Sequence, residues 1–267
     1  MPAHPLNKRD VTHPEAVLFA GERSFPALPA CEHFAGNEKF IRKAFELQAR
    51  LGPVFDVTCD CEDGAPTGAE REHAAMVARL VAGEDNHHGR AGARIHDPAH
   101  PASRDDIEVL IGEAGARIAY LTVANPQSYD QDAAIVEHIH RRSTAAGVKA
   151  PPGHILIETQ GALADVFRIA ALPGVEALDF GLLDFVSDHR GAIADSAMRS
   201  PGQFEHRLVA RAKAEVAAAA LAHGRIPTHN PCLALDDAAA ARADAARARM
   251  EFGFRRMARI HPRQVEP

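Results

Sequence analysis

The chain has 267 residues, close to the roughly 250 typical of one (β/α)8 barrel. Its 30 Lys plus Arg against 36 Asp plus Glu give a formal net charge of −6, which supports neither nucleic acid nor an anionic membrane as a partner. Apolar residues make up 46% of the chain, enough for a sizeable core, but aromatics are only 5% and Trp is absent, so that core must be built from Ala, Val, Leu and Ile. Cys31, Cys59, Cys61 and Cys232 are too few and too irregularly spaced for a disulfide framework and read as buried thiols. The N-terminal MPAHPLNKRDVTHPE lacks the apolar stretch of a signal peptide, and no run approaches the roughly 18 apolar residues of a membrane span. The expected location is the cytoplasm.

Short strand-like runs alternate with longer helix-like ones, the pattern of parallel α/β architecture. AVLFAG (16–21) is the first expected strand; a Pro-rich loop and an amphipathic helix over 37–51 follow. VFDVTCD (54–60) precedes a helix over 69–81, GARIHD (92–97) one over 103–115, and ARIAYLTV (116–123) one over 130–147. HILIET (154–159) opens a helix over 161–172, and VEALDFG (175–181) ends at a loop carrying Asp184. A long Ala-rich helix over 204–224 stops at Gly224, a natural C-terminal signal. RIPTHN (225–230), a helix over 235–253 and RRMARIHP (255–262) complete eight strands, seven of them followed by a helix. This predicts a single-domain (β/α)8 TIM barrel over 1–267, with a doubly wound open sheet as the alternative. The chain ends at Pro267 without a last helix, so another subunit is one candidate to cover the gap.

In such a barrel the active site lies at the C-terminal strand ends, and strand interiors are expected to be apolar, so polar strand-end residues are the informative ones. They are Asp60, Glu62 and Asp63 after the second strand, Arg94 in the third, Glu158, Thr159 and Gln160 after the fifth, and Asp179 and Asp184 around the sixth. His229 and Asn230 end the seventh and His261 the eighth. Carboxylates converging on one rim repel one another unless a cation lies among them. Oxygen ligands without a Cys/His cluster favour Mg2+, with Mn2+ as the alternative. Arg94 offers a rigid fork of donors for a substrate carboxylate or carbonyl. The bland alternative is that these acids are helix caps and surface loop residues. His229 is a candidate substrate contact or acid–base group, with a structural hydrogen bond as the other reading, Thr159 a candidate for lining the site or capping a helix, and His261 a structural residue.

These same residues resemble a family. Asp60-Cys61-Glu62-Asp63-Gly64 is similar to the D-x-E-D-A segment of citrate lyase beta-subunit-like proteins, which group with malyl-CoA lyases. ARIHD (93–97), ILIETQGALADVFRIA (155–170), LDFGLLDFVSD (178–188) and ARIHPRQV (258–265) resemble further family segments in the same order. The resemblance implies that Glu158 and Asp184 bind Mg2+ and that Arg94 binds the substrate and stabilises an enolate. Glu62 and Asp63 then stand near the metal waters, with Asp60 in the same network. It implies reversible cleavage of a 3-hydroxyacyl-CoA-type substrate, such as citryl-CoA or malyl-CoA, into an acyl-CoA and an oxoacid, in a homotrimer or hexamer. Three departures stand beside it. LTVAN (121–125) replaces the family's P-K-[VT], His229-Asn230 replaces an Asp-Gly pair, and the C-terminal lid of longer relatives is absent. An aldolase acting on a free oxoacid and a non-catalytic ligand-binding subunit therefore stay open as alternatives.

Overall fold

Four of the eight strands are buried along their whole length and the other four at all but one position, as a parallel sheet covered on both faces requires. A computed structural model describes residues 25–265. Eight parallel strands close into a barrel in chain order. They are β1 (Cys31–Ala35), β2 (Phe55–Asp60), β3 (Ala91–Ile95), β4 (Leu121–Val123), β5 (Gly153–Ile157), β6 (Val175–Phe180), β7 (Ile226–His229) and β8 (Arg256–Arg259). β1 pairs with both β2 and β8, which closes the ring without an edge. Seven strands fall where the sequence predicts them. The first does not: β1 is CEHFA, inside the stretch read as a Pro-rich loop, and 16–21 lies outside the described residues.

The first four helices are α1 (Glu38–Leu51), α2 (Glu70–Ala82), α3 (Ala102–Ala114) and α4 (Tyr129–Ala146). The Asn37 and Ser128 side chains cap α1 and α4 by accepting from the Phe40 and Gln131 amides. The helix expected over 161–172 is broken at Asp165 into α5 (Gln160–Ala164) and α6 (Val166–Ala171). α7 (Leu182–Asp188) carries Asp184 in its first turn, and α8 (Gly202–Glu205) is a single turn before α9 (Arg207–Ala222). α10 (Ala238–Arg247) is capped by Asp237 and runs into a π turn over Ala248–Phe252. Among the described residues no helix is long and apolar enough to cross a membrane.

The hydrophobic core is the layer between barrel and helices, where Val57, Cys59, Ile95 and Ile155 meet residues such as Ile41, Phe45, Val77, Leu110 and Val216. All four cysteines are free and buried, in keeping with the sequence reading. The barrel interior corrects another expectation, because it is polar. Glu32, Asp56, Thr58, Thr122, His154, Asp179, Thr228 and Arg256 are all at most 3% exposed. Alternation along each strand puts these residues opposite the apolar ones that meet the helices.

Candidate active site

The C-terminal strand ends surround a cavity of about 310 Å3, lined by Asp60, Asp63, Arg94, Glu158, Asp184 and His229 among others, with Glu32 and Asp179 deeper on its wall. Glu158 follows β5 directly and is 2% exposed. Its Oε1 accepts from the Asn125 amide at 2.7 Å. A Cβ at Gly181 would overlap Glu158 Oε2, so only glycine lets the end of β6 pass so close to this carboxylate. Burial, then the neighbouring Asp184, pushes the Glu158 carboxyl up to about 8. Two carboxylates thus face one cavity, with no ion pair to either among the described residues. That donor set, hard oxygens crowded enough to resist ionising together, fits a divalent oxygen-seeking cation.

On the opposite wall the acids are already neutralised. Arg94 donates to Asp60 through Nε at 2.8 Å and Nη2 at 2.6 Å, a bidentate pair. The same Nη2 reaches Asp63 at 2.7 Å, and Nη1 lies 2.7 Å from Glu62. The charge of these three acids holds the guanidinium pKa far above its ordinary value despite its burial. The Arg94 guanidinium also lies 5.4 Å from the centre of the Phe34 ring. Within this cluster the Asp63 side chain is 80% exposed, whereas those of Asp60 and Glu62 are 8% and 19% exposed.

Thr159, Glu62 and His229 are each held by neighbours within the protein. Thr159 does not line the cavity: its hydroxyl donates to the Pro126 carbonyl and accepts from the Ala162 amide, so it is the cap of α5. Glu62 lies behind the cavity wall, tied to Arg94 and Asn125. His229 reaches the wall, but both ring nitrogens are engaged. Nδ1 meets the Asn230 carbonyl at 2.9 Å and Nε2 meets Lys213 Nζ at 2.7 Å. Phe204 stacks on the ring, and burial followed by Lys213 holds its pKa well below the ordinary histidine value. A neutral imidazole with both nitrogens occupied is a poor proton carrier. His261 caps the turn after β8, as a structural residue would.

Sequence reading missed Asn125. It follows β4 with a positive φ of 47°, a conformation asparagine tolerates better than most residues. Its backbone amide holds Glu158, and its side chain donates to Glu62 at 3.2 Å. The same residue therefore ties the two walls together.

A closed parallel barrel whose acidic residues gather at the C-terminal strand ends defines the class, a TIM-barrel protein with a cation-competent rim. No protein-family model matches the chain, and no curated protein matches it, so structural likeness carries the assignment. A citrate lyase from Burkholderia xenovorans LB400 is similar at 49% identity and a TM-score of 0.89, over 91% of this chain and 76% of that one. The chain belongs to the citrate lyase family and is a lyase of that class. More distant likenesses bear on the fold. A citrate lyase beta subunit from M. tuberculosis, complexed with oxaloacetate and magnesium, is 20% identical with a TM-score of 0.69, over 90% of this chain and 94% of that one. A Haloferax volcanii malate synthase is 16% identical with a TM-score of 0.76, over 91% of this chain and 72% of that one.

Proposed function

We propose that the protein is a Mg2+-dependent carbon–carbon lyase that splits a 3-hydroxyacyl-CoA-type substrate, such as citryl-CoA or malyl-CoA, into an acyl-CoA and an oxoacid. The observation that carries this is the pair Glu158 and Asp184, facing one cavity with no cation paired to either among the described residues, in a chain of the citrate lyase family. Mg2+ held by Glu158 and Asp184 would supply a positive centre for the oxygens of an oxoacid, as the magnesium and oxaloacetate of the M. tuberculosis neighbour suggest. The chain's own residues do the rest. Gly181 and the Asn125 amide hold Glu158 in place. Asp60 fixes the plane of Arg94 through two hydrogen bonds, so its charge stays aimed at the cavity where an enolate would develop. Asp63 is the exposed acid of the cluster, and a substrate carboxylate can take its place on Arg94.

A free oxoacid is the second reading, favoured by one observation. At about 310 Å3 the cavity stands at the small end of the roughly 300–1,000 Å3 of ligand sites. Citryl-CoA and malyl-CoA, assayed beside citrate, malate and free 4-hydroxy-2-oxoacids with Mg2+ or with EDTA, separate the two. Oxoacid release from a CoA ester, abolished by EDTA, is the expected result. Turnover of free acids alone would move the assignment to an aldolase, and no turnover of any substrate would sink both readings.

A further inference from the structure

The barrel interior holds a second cluster, below the rim. Glu32 on β1, His154 on β5 and Asp179 on β6 each offer a ligand atom, and these atoms lie within 4.8 Å of one another. The three residues are 0%, 0% and 2% exposed. Among the described residues Glu32 Oε1 and His154 Nδ1 have no hydrogen-bond partner, and the Asp179 carboxylate has at most the Thr228 hydroxyl, although such buried atoms are normally satisfied.

The geometry around them is built rather than accidental. His154 Nε2 is 3.3 Å from the Glu176 carboxylate, an acceptor that favours the ring proton on that nitrogen and the lone pair on Nδ1. Tyr120 stacks on the imidazole at 4.1 Å with an interplanar angle of 8°, fixing the ring, and its hydroxyl is tied to Thr58 at 2.7 Å. Thr58 in turn donates to Glu32 Oε2 at 3.1 Å, leaving Oε1 as the unpartnered oxygen. Arg256 is bonded to Asp56 and stands 3.7 Å from Glu32 Oε2.

Glu32 Oε1 and the Asp179 oxygens are acceptors, and His154 Nδ1 is one when the ring proton sits on Nε2. A water has two protons to donate, whereas a cation can meet one atom from each of the three residues. An imidazole nitrogen among carboxylate oxygens suits a borderline divalent ion better than Mg2+. We propose that Glu32, His154 and Asp179 form a second metal site for a divalent transition ion, Zn2+ or Mn2+, entered through the cavity that Glu32 and Asp179 line. Counting it as the second site rests on the rim reading above, but its own ligands are separate from Glu158 and Asp184.

Mn2+ counted by electron paramagnetic resonance on chelator-stripped protein tests it. Two ions per wild-type chain are expected, falling to one in His154→Asn and to one in Glu158→Gln. Loss only in His154→Asn, with Glu158→Gln unchanged, would keep the inner site and refute the rim site. A single ion lost in Glu158→Gln and kept in His154→Asn would overturn the proposal. Because His154→Asn could disturb the barrel, wild-type crystals soaked in MnCl2 give an independent readout. An anomalous peak among Glu32, His154 and Asp179 supports the site, and a map with a peak only at the rim refutes it.

Discussion

On the β2–β3 side of the cavity Asp60, Glu62 and Asp63 share Arg94, whereas on the β5–β6 side Glu158 and Asp184 face the same space with no cation paired to either among the described residues. The first wall is electrostatically complete as folded. The second is not, and burial with mutual repulsion resists ionisation there. Removing a charge should therefore have opposite consequences on the two sides. On the complete wall it strands buried partners, and on the incomplete wall it relieves crowding while removing a cation ligand.

The largest expected effect is on the incomplete wall. Glu158→Gln should lower kcat by about 10²–10³-fold, the usual loss when one transition-state-stabilising group is removed. Mg2+ affinity measured by calorimetry should fall with it, while thermal stability of the metal-free protein holds or rises. A variant that lost stability but kept Mg2+ affinity would break the comparison. Next comes Arg94→Met, which leaves the Asp60 and Glu62 charges without their partner. Breaking such a pair typically costs about 3 kcal/mol, read as a lower urea midpoint at unchanged slope. Here Mg2+ binding should survive in the molecules that remain folded. Equal stability in Arg94→Met and wild type would show that the ion-pair cluster is only loosely held.

Gly181→Ala is smaller and more local. The added Cβ meets Glu158 Oε2, so the carboxylate must move although no charge changes. Mg2+ affinity should drop by about tenfold, roughly 1.4 kcal/mol, with urea stability lowered by about 1–2 kcal/mol because the new methyl also meets Glu158 Cβ. Unaltered Mg2+ affinity would mean that Glu158 tolerates displacement and does not need the position seen here.

How much of this was legible in the sequence follows from which side chains face where. The outward strand residues are apolar and the helices between them are periodic, so seven strands could be read directly. β1 escaped because its inward residue is Glu32 and His33 follows it, which breaks the apolar run that marks a buried strand. The assumption of an apolar barrel interior hid Glu32 and His154 for the same reason. A signal was present: Asp56, Thr58 and Asp60 alternate with Val57 and Cys59, a period of two with polar residues on the inward face. At the rim, Glu158, Asp184, Arg94 and Asp60 could be picked out because acids and arginine at strand ends are conspicuous. Hydrogen-bond direction was not legible. Thr159 turned to the Pro126 carbonyl, and His229 to Lys213, through contacts between segments far apart in the chain.

Asn125 was illegible for a further reason, its left-handed backbone, and it provides the finest test of the two-wall comparison. Its amide holds Glu158 on one wall while its side chain reaches Glu62 on the other. Asn125→Gly keeps the amide and adopts a φ of 47° without strain, so it cuts only the link to Glu62. If the walls act independently, Mg2+ affinity should change by less than about twofold, well below the tenfold step expected from a 1.4 kcal/mol displacement. Asn125→Ala retains the same amide and Cβ but loses asparagine's tolerance of the left-handed region, at a cost of about 1 kcal/mol. A drop in Mg2+ affinity in the alanine variant alone would therefore identify the backbone, not the Glu62 contact, as what holds Glu158 for its cation. Equal losses in both variants would instead mean that the complete wall helps to shape the incomplete one.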